Sequence, residues 1–247
     1  MDKQPDSESC GMFGKIPQQA DFISHHLPTA FTEYWHGWLQ SSLSVSKEQL
    51  GDTWLDYYLT SPVWRFAIMP NIITSQAISG VLMPSVDEVG RYFPLSIAHI
   101  GNHQVWAANL HGDEWYQSLE HVALHALNEN VPYSDFVGHF EALEPARFEA
   151  MPKYQALSSV HSNNRNQAIM KPENCSANNL ALSLLANAYK RLLGNHSLWW
   201  TEGSEQVDPC LIISADLPDA GQFAAMLDGD WQKWGWSQEL ILSDTEN

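Results

Sequence analysis

The residues best spaced for chemistry are His121 and His125 in HVALH, because side chains four apart on a helix share one face and could hold one metal ion. The segment lacks the glutamate that follows the first histidine in the HExxH pattern, and spacing places no third ligand. Solvated or half-buried histidines are the expected outcome. His25 and His26 stand side by side near Asp21, and an extended chain points adjacent side chains to opposite sides, so a structural role is expected there. Ser85 and Asp87 in MPSVDEVG suggest a nucleophile, but the strained GxSxG elbow needs glycine on both flanks, and here the flanks are Pro84 and Val86. A capping role for Ser85 or Asp87 at a short helix is the reading that remains. Gly11 and Gly14 complete neither GxGxxG nor GxxxxGK[ST], so no nucleotide cradle is expected. The expectation is therefore no catalytic residue, no metal and no cofactor.

Charges embedded in apolar text form a second group: Lys15, Asp21, Arg65, Asp87 and Arg91. Arg65 sits inside VWRFAIM, where a charge is costly unless paired, so a carboxylate partner is expected, Asp87 or Asp21. Such pairs either fix the fold or belong to an interface. The third group is aromatic. Among eleven tryptophans, Trp35, Trp38 and Trp54 fall at helical spacing with other apolar residues and belong in a core. Trp231, Trp234 and Trp236 in WQKWGW fit no single face and are candidates for a surface that binds something.

These side chains need elements to position them. CGMFGKI, VWRFAIM, AISGVLM, PLSIAHI, HSLWWTEG and CLIISADL read as strands. Pro28 opens a helix whose stripe is Phe31, Trp35, Trp38, Leu39 and Leu43, and Ser46 with Gln49 resembles a capping box before a second helix, GDTWLDYYL. Residues 112–130 are amphipathic through Trp115, Leu119, Val122, Ala123, Ala126 and Leu127. Further helices are expected over 133–150, over NNLALSLLANAYKRLLG with Gly194 as its stop, and over 218–229. QQADFISHH reads as loop. Strands and helices interleave without a βαβ rhythm, which predicts an α/β fold with a mixed sheet covered by helices. The expected layout is a disordered lead-in over 1–9, one domain over 10–236 with a flexible loop at 152–178, and a tail over 237–247.

The charge balance, 12 Lys+Arg against 29 Asp+Glu in 247 residues, gives −17 with histidine neutral. Nucleic acid and anionic lipid are poor partners for such a chain, because both are bound through lysine and arginine. A protein with a basic surface would be steered in quickly. Cys10, Cys175 and Cys210 are odd in number and far apart, which suits a reducing compartment. The start, MDKQPDSESCGMF, lacks the basic-then-apolar order of an export signal, and no run approaches the ~18 apolar residues of a membrane span. A cytoplasmic location is expected.

Four motifs occur in order: GMFGKIPQQADF over 11–22, WHGWL over 35–39, PVWRF over 62–66, and VLMPSVDEVGRYFPL over 81–95. In this succession the chain resembles the N-terminal domain of TagF proteins, with a weaker echo in SLWW and over 217–227. Where the family has glycine before the aspartate, this chain has Ala20, which puts the shape of that loop in question. The resemblance implies a three-layer α/β sandwich. It also implies a post-translational negative regulator of type VI secretion that binds the forkhead-associated scaffold protein, Fha, and it carries no catalytic residues. The alternative is a small hydrolase or ligand-binding enzyme with a cleft built from His25, Asp87 and Arg91.

Overall fold

The computed structural model describes residues 9–148 and 177–236. Residues 1–8 of the lead-in, most of the 152–178 loop, Cys175 and the 237–247 tail lie outside the described residues, and Ser9, placed in the lead-in by the sequence, already belongs to the first strand.

Seven strands form one sheet: β1 (Ser9–Gly14), β2 (Ile23–His25), β3 (Trp64–Ile68), β4 (Ala77–Met83), β5 (Leu95–Gly101), β6 (His196–Thr201) and β7 (Cys210–Ala215), in the order β2-β1-β5-β4-β3-β6-β7. Every strand pair is antiparallel, so the expectation of a mixed sheet is corrected. The α/β reading and the helical covering are borne out. β3, β4 and β5 are buried along their whole length, which is why they read as continuous apolar runs rather than alternating ones.

Alternation still divides the side chains between two faces. Phe66, Ile68, Ile78, Leu82, Ala98, Ile100 and Trp199 pack under α1 (Thr29–Leu50), α2 (Trp54–Leu59) and α7 (Ala225–Asp228). Val81, Met83, Leu95 and Ile97 meet α4 (Asp113–His125) and α5 (Tyr133–Glu141) on the other face. Beside them Ala67, Ala77 and Leu198 meet α3 (Val105–His111) and α6 (Ala177–Leu193). The result is three layers, helices on both faces of a sheet.

Phe31, Trp35, Leu39 and Leu43 are buried at the expected stripe of α1. Trp35 stacks against Phe31 and Trp199, and its indole donates to Ser96 Oγ at 2.8 Å, so the largest core side chain leaves no polar atom unpaired. The expected capping box is not formed. Ser46 lies inside α1, donates back to the Leu43 carbonyl (3.0 Å) and accepts the Trp54 indole N–H (3.0 Å); the helix stops at Gly51 instead. Sequence reading passed over α3, only seven residues long, and β2, three residues inside what reads as loop.

The C-terminal indoles close the core rather than stand clear of it. Trp231 meets Trp64 edge-on, Trp234 donates to Asp228 Oδ2 (2.7 Å) and Trp236 donates to the Gln222 carbonyl (3.1 Å), all three half-buried.

Candidate functional site

Two loops carry most of the chemistry-bearing residues, and the fold brings them together. The 15–22 loop leaves β1 at Gly14, whose φ of +144° disfavours any side chain and whose added Cβ would stand 2.2 Å from the Pro94 carbonyl oxygen. Opposite it, residues 85–93 make a tight reversal. The Asp87 amide donates to the Arg91 carbonyl at 3.1 Å and the Gly90 amide to the Asp87 carbonyl at 3.0 Å, with Gly90 at φ +84°. Tyr58 braces the reversal from α2: its hydroxyl donates to the Ser85 carbonyl (2.8 Å) and accepts the Ser85 amide (3.0 Å).

The loops are then joined. Ser85 Oγ donates to the Lys15 carbonyl (2.7 Å), the Glu88 amide to the Gln19 carbonyl (3.2 Å), and the Arg91 guanidinium to the Ala20 carbonyl. Asp87 is the centre. Its carboxylate is fully buried and accepts from Lys15 Nζ (2.7 Å), Arg91 Nε (2.6 Å), the Arg91 amide (2.8 Å) and the Val89 amide (3.1 Å). Burial alone would raise the Asp87 carboxyl, but Lys15 and the amide and guanidinium of Arg91 outweigh it and hold it well below the usual carboxylate range. A carboxylate so strongly held is too weak a base to take a proton near neutrality. The arrangement holds shape.

Its outer surface is part apolar and part charged, with Asp21, Glu88 and Arg91 all exposed. Phe22, 40% exposed, stacks on Phe13 (5.6 Å) and lies edge-on to Phe93 (4.8 Å) and His36 (5.2 Å), with the Lys15 ammonium 5.0 Å from its ring centre. Val89 is 64% exposed at the tip of the reversal, and the Arg91 side chain is 57% exposed. Asp21 is exposed and makes no ion pair among the described residues. Ala20 does not take a positive φ, so the loop has relaxed to suit alanine.

Arg65 is paired, but not with Asp87 or Asp21. It is buried on the opposite side of β3, donating to both carboxylate oxygens of Glu120 (2.6 and 3.0 Å) and to Asp113 (2.7 Å), with Glu202 at 3.5 Å. The strand's alternation decides this: Arg65 faces α4, whereas Asp87 is already saturated by Lys15 and Arg91. The amphipathic helix contains both acidic partners, on its polar margin, but nothing in the spacing ties them to residue 65.

Ser85 commits its hydroxyl to the Lys15 carbonyl and shares no side-chain hydrogen bond with a histidine or carboxylate among the described residues. His25 hydrogen bonds to the Tyr133 hydroxyl at 2.9 Å and shares no hydrogen bond or ion pair with Asp87 or Arg91, so the cleft of His25, Asp87 and Arg91 is not assembled. His121 is exposed, while His125 packs on His139 of α5 with ring centres 4.4 Å apart. Among the described residues no group of three or more His, Cys, Asp or Glu is placed to hold a metal ion, and no helix is long and apolar enough to cross a membrane.

The structure defines a three-layer α/β domain whose signature side chains lock two loops together and leave a part-apolar rim. The family model for the TagF N-terminal domain, type VI secretion system-associated, matches residues 11–143, more than half of the chain. The chain belongs to the TagF family. It is also similar to PA0076 from Pseudomonas aeruginosa PAO1, known from a crystal structure at 2.05 Å, with 29% identity and a TM-score of 0.77 over 97% of this chain and 100% of that one. No curated protein matches. The matched region contains the whole Lys15–Asp87–Arg91 junction; the Trp231, Trp234 and Trp236 group lies beyond it.

Proposed function

We propose that this chain is a non-catalytic, cytoplasmic negative regulator of type VI secretion that binds the forkhead-associated scaffold, Fha, and keeps it out of the assembling machine. The partner docks on the rim of the joined loops, through Phe22, Val89 and Arg91, with Asp21 beside them. One observation carries the reading. The motif residues Lys15, Ser85, Asp87 and Gly90 have their polar groups or backbone committed to holding the two loops, and the side chains those loops present outward are a part-exposed aromatic, an exposed aliphatic and the half-exposed guanidinium of Arg91, which also bonds Asp87 and the Ala20 carbonyl. Aromatic and arginine anchors supported by a rigid frame are what protein interfaces use most. The overall charge of −17 favours rapid encounter with a basic partner.

The test compares wild type with the double variant Phe22→Ala, Val89→Glu, in affinity capture from a secreting strain and in complementation of a gene deletion. Deletion is expected to raise secretion, wild type to recover Fha and restore repression, and the variant to do neither while still melting in one cooperative transition. Recovery of no type VI component by wild type, or unchanged secretion on deletion, would overturn the reading.

A further inference from the structure

On the face opposite the joined loops' core lies a cavity of about 310 Å³, at the lower end of the volumes that hold small molecules. Three elements wall it. Met69 and Pro70 follow β3, residues 103–106 span the start of α3, and Ser183, Ala186, Asn187 and Lys190 form one stripe of α6 at i, i+3, i+4 and i+7 spacing.

The walls are fixed before any ligand arrives. The Trp106 indole donates to His196 Nε2 at 3.0 Å and its ring stacks on Tyr189 of α6 at 5.5 Å, so the largest apolar surface cannot rotate away. His103 is held from the sheet, its Nε2 sharing a hydrogen bond with Ser79 Oγ at 2.7 Å. Its other nitrogen, Nδ1, is buried and has no partner, and the indole nitrogen of Trp115, across Phe148 from it, is in the same condition. Burial, with a smaller contribution from His99, pushes His103 down to about 3, so the ring is neutral and offers one hydrogen bond rather than a charge.

The electrostatics of the cavity reverse those of the chain. Acidic residues outnumber basic ones 29 to 12 in the sequence, yet among the described residues the lining contains no carboxylate and one cation, Lys190. Its ammonium bonds to Asn195 Oδ1, which leaves two of its three donors. A dianionic phosphate is ordinarily gripped by several cationic or backbone donors, whereas a single lysine beside an apolar wall suits a singly charged group.

From this we infer a binding site for a small organic monoanion, an aryl or short-chain carboxylate, with its charged end on Lys190 and its apolar body against Trp106 and Ala186. The site is independent of the proposed partner surface, since none of its residues belongs to the joined loops.

The experiment is ligand-observed NMR on the full chain with three probes: indole-3-acetate, the neutral indole-3-acetamide, and inorganic phosphate. Indole-3-acetate should bind saturably and at least about tenfold more tightly than the amide, that preference should disappear in Lys190→Met, and phosphate should not compete. Ala186→Trp, which fills the cavity, should abolish binding of both indoles. Equal binding of acid and amide, binding that survives Ala186→Trp, or no saturable binding of the acid would each overturn the inference. Lys190 is exposed, so Lys190→Met decides the charge question even where the bulkier variant does not fold.

Discussion

At the scale of single residues the decisive group is Asp87. Asp87→Asn leaves the Lys15 ammonium, only 7% exposed, without a counter-ion, and the expected loss is about 3–5 kcal/mol in urea denaturation at neutral pH. Arg91→Ala touches the same carboxylate from a half-exposed position and should cost no more than about 1 kcal/mol. Equal losses would mean that Lys15 is not the essential partner. Because the folded Asp87 carboxyl titrates below the ~3.9 of an unfolded aspartate, its contribution is complete above about pH 5 and disappears as the pH falls through 4 toward the folded value. The gap between wild type and Asp87→Asn should therefore narrow progressively as the pH falls below about 5.

His103 acts in a higher window. It titrates at about 3 when folded and about 6.5 when unfolded, so below pH 6.5 the unfolded chain takes up a proton that the fold refuses. Stability then falls by up to ~1.4 kcal/mol per pH unit until the folded ring is also protonated. Denaturation midpoints at pH 7 and 4.5 should diverge less in His103→Gln than in wild type; identical divergence would show that the ring is not held neutral.

At the scale of elements, glycine to alanine should have opposite signs at two positions. Gly37 lies exposed in α1, and a Cβ added there meets nothing within 4 Å. Gly37→Ala should raise stability by about 1 kcal/mol, read as a higher melting temperature, because a helix interior loses less entropy with alanine. Gly14→Ala should destabilise the fold, because the new methyl meets the Pro94 carbonyl oxygen and the backbone angle is unfavourable to it. A stabilising Gly14→Ala would mean that the two loops are not in the register described above. Element identity was largely readable in advance: the strand runs around Arg65, Val81 and Ile97, the stripe of α1 and the face of α4 all follow from apolar periodicity. α3 escaped because seven residues give too few turns for a period, and β2 because its pairing with β1, not its own composition, makes it a strand.

At the scale of the whole molecule the sheet is one cooperative unit that the family match divides. β3, inside the matched region, is paired on its outer side with β6, and Trp199, Ile212, Phe223 and Met226 complete the core that Trp35 begins. A chain ending at residue 143 would expose the β3 edge and half of an aromatic core, so it should show no cooperative thermal transition and little near-ultraviolet circular dichroism. A sharp melt of that fragment would mean that the C-terminal strands are accessory.

The amino-acid sequence by itself determined the alternation of elements, the tryptophans of α1 that enter the core, the excess of negative charge and, through four ordered motifs, the family. Those properties are local: they depend on which residues follow one another at a period of two or of 3.6. Tertiary structure decided which carboxylate each buried cation meets. Arg65 chooses Glu120, 55 residues away, and Lys15 chooses Asp87, 72 residues away, because strand pairing and pleat fix which side chains share a face. It also decided that the sheet is antiparallel throughout, and that His103, Trp106 and Lys190 enclose a common space. No spacing along the chain encodes a contact whose distance depends on the register of strands between its two partners.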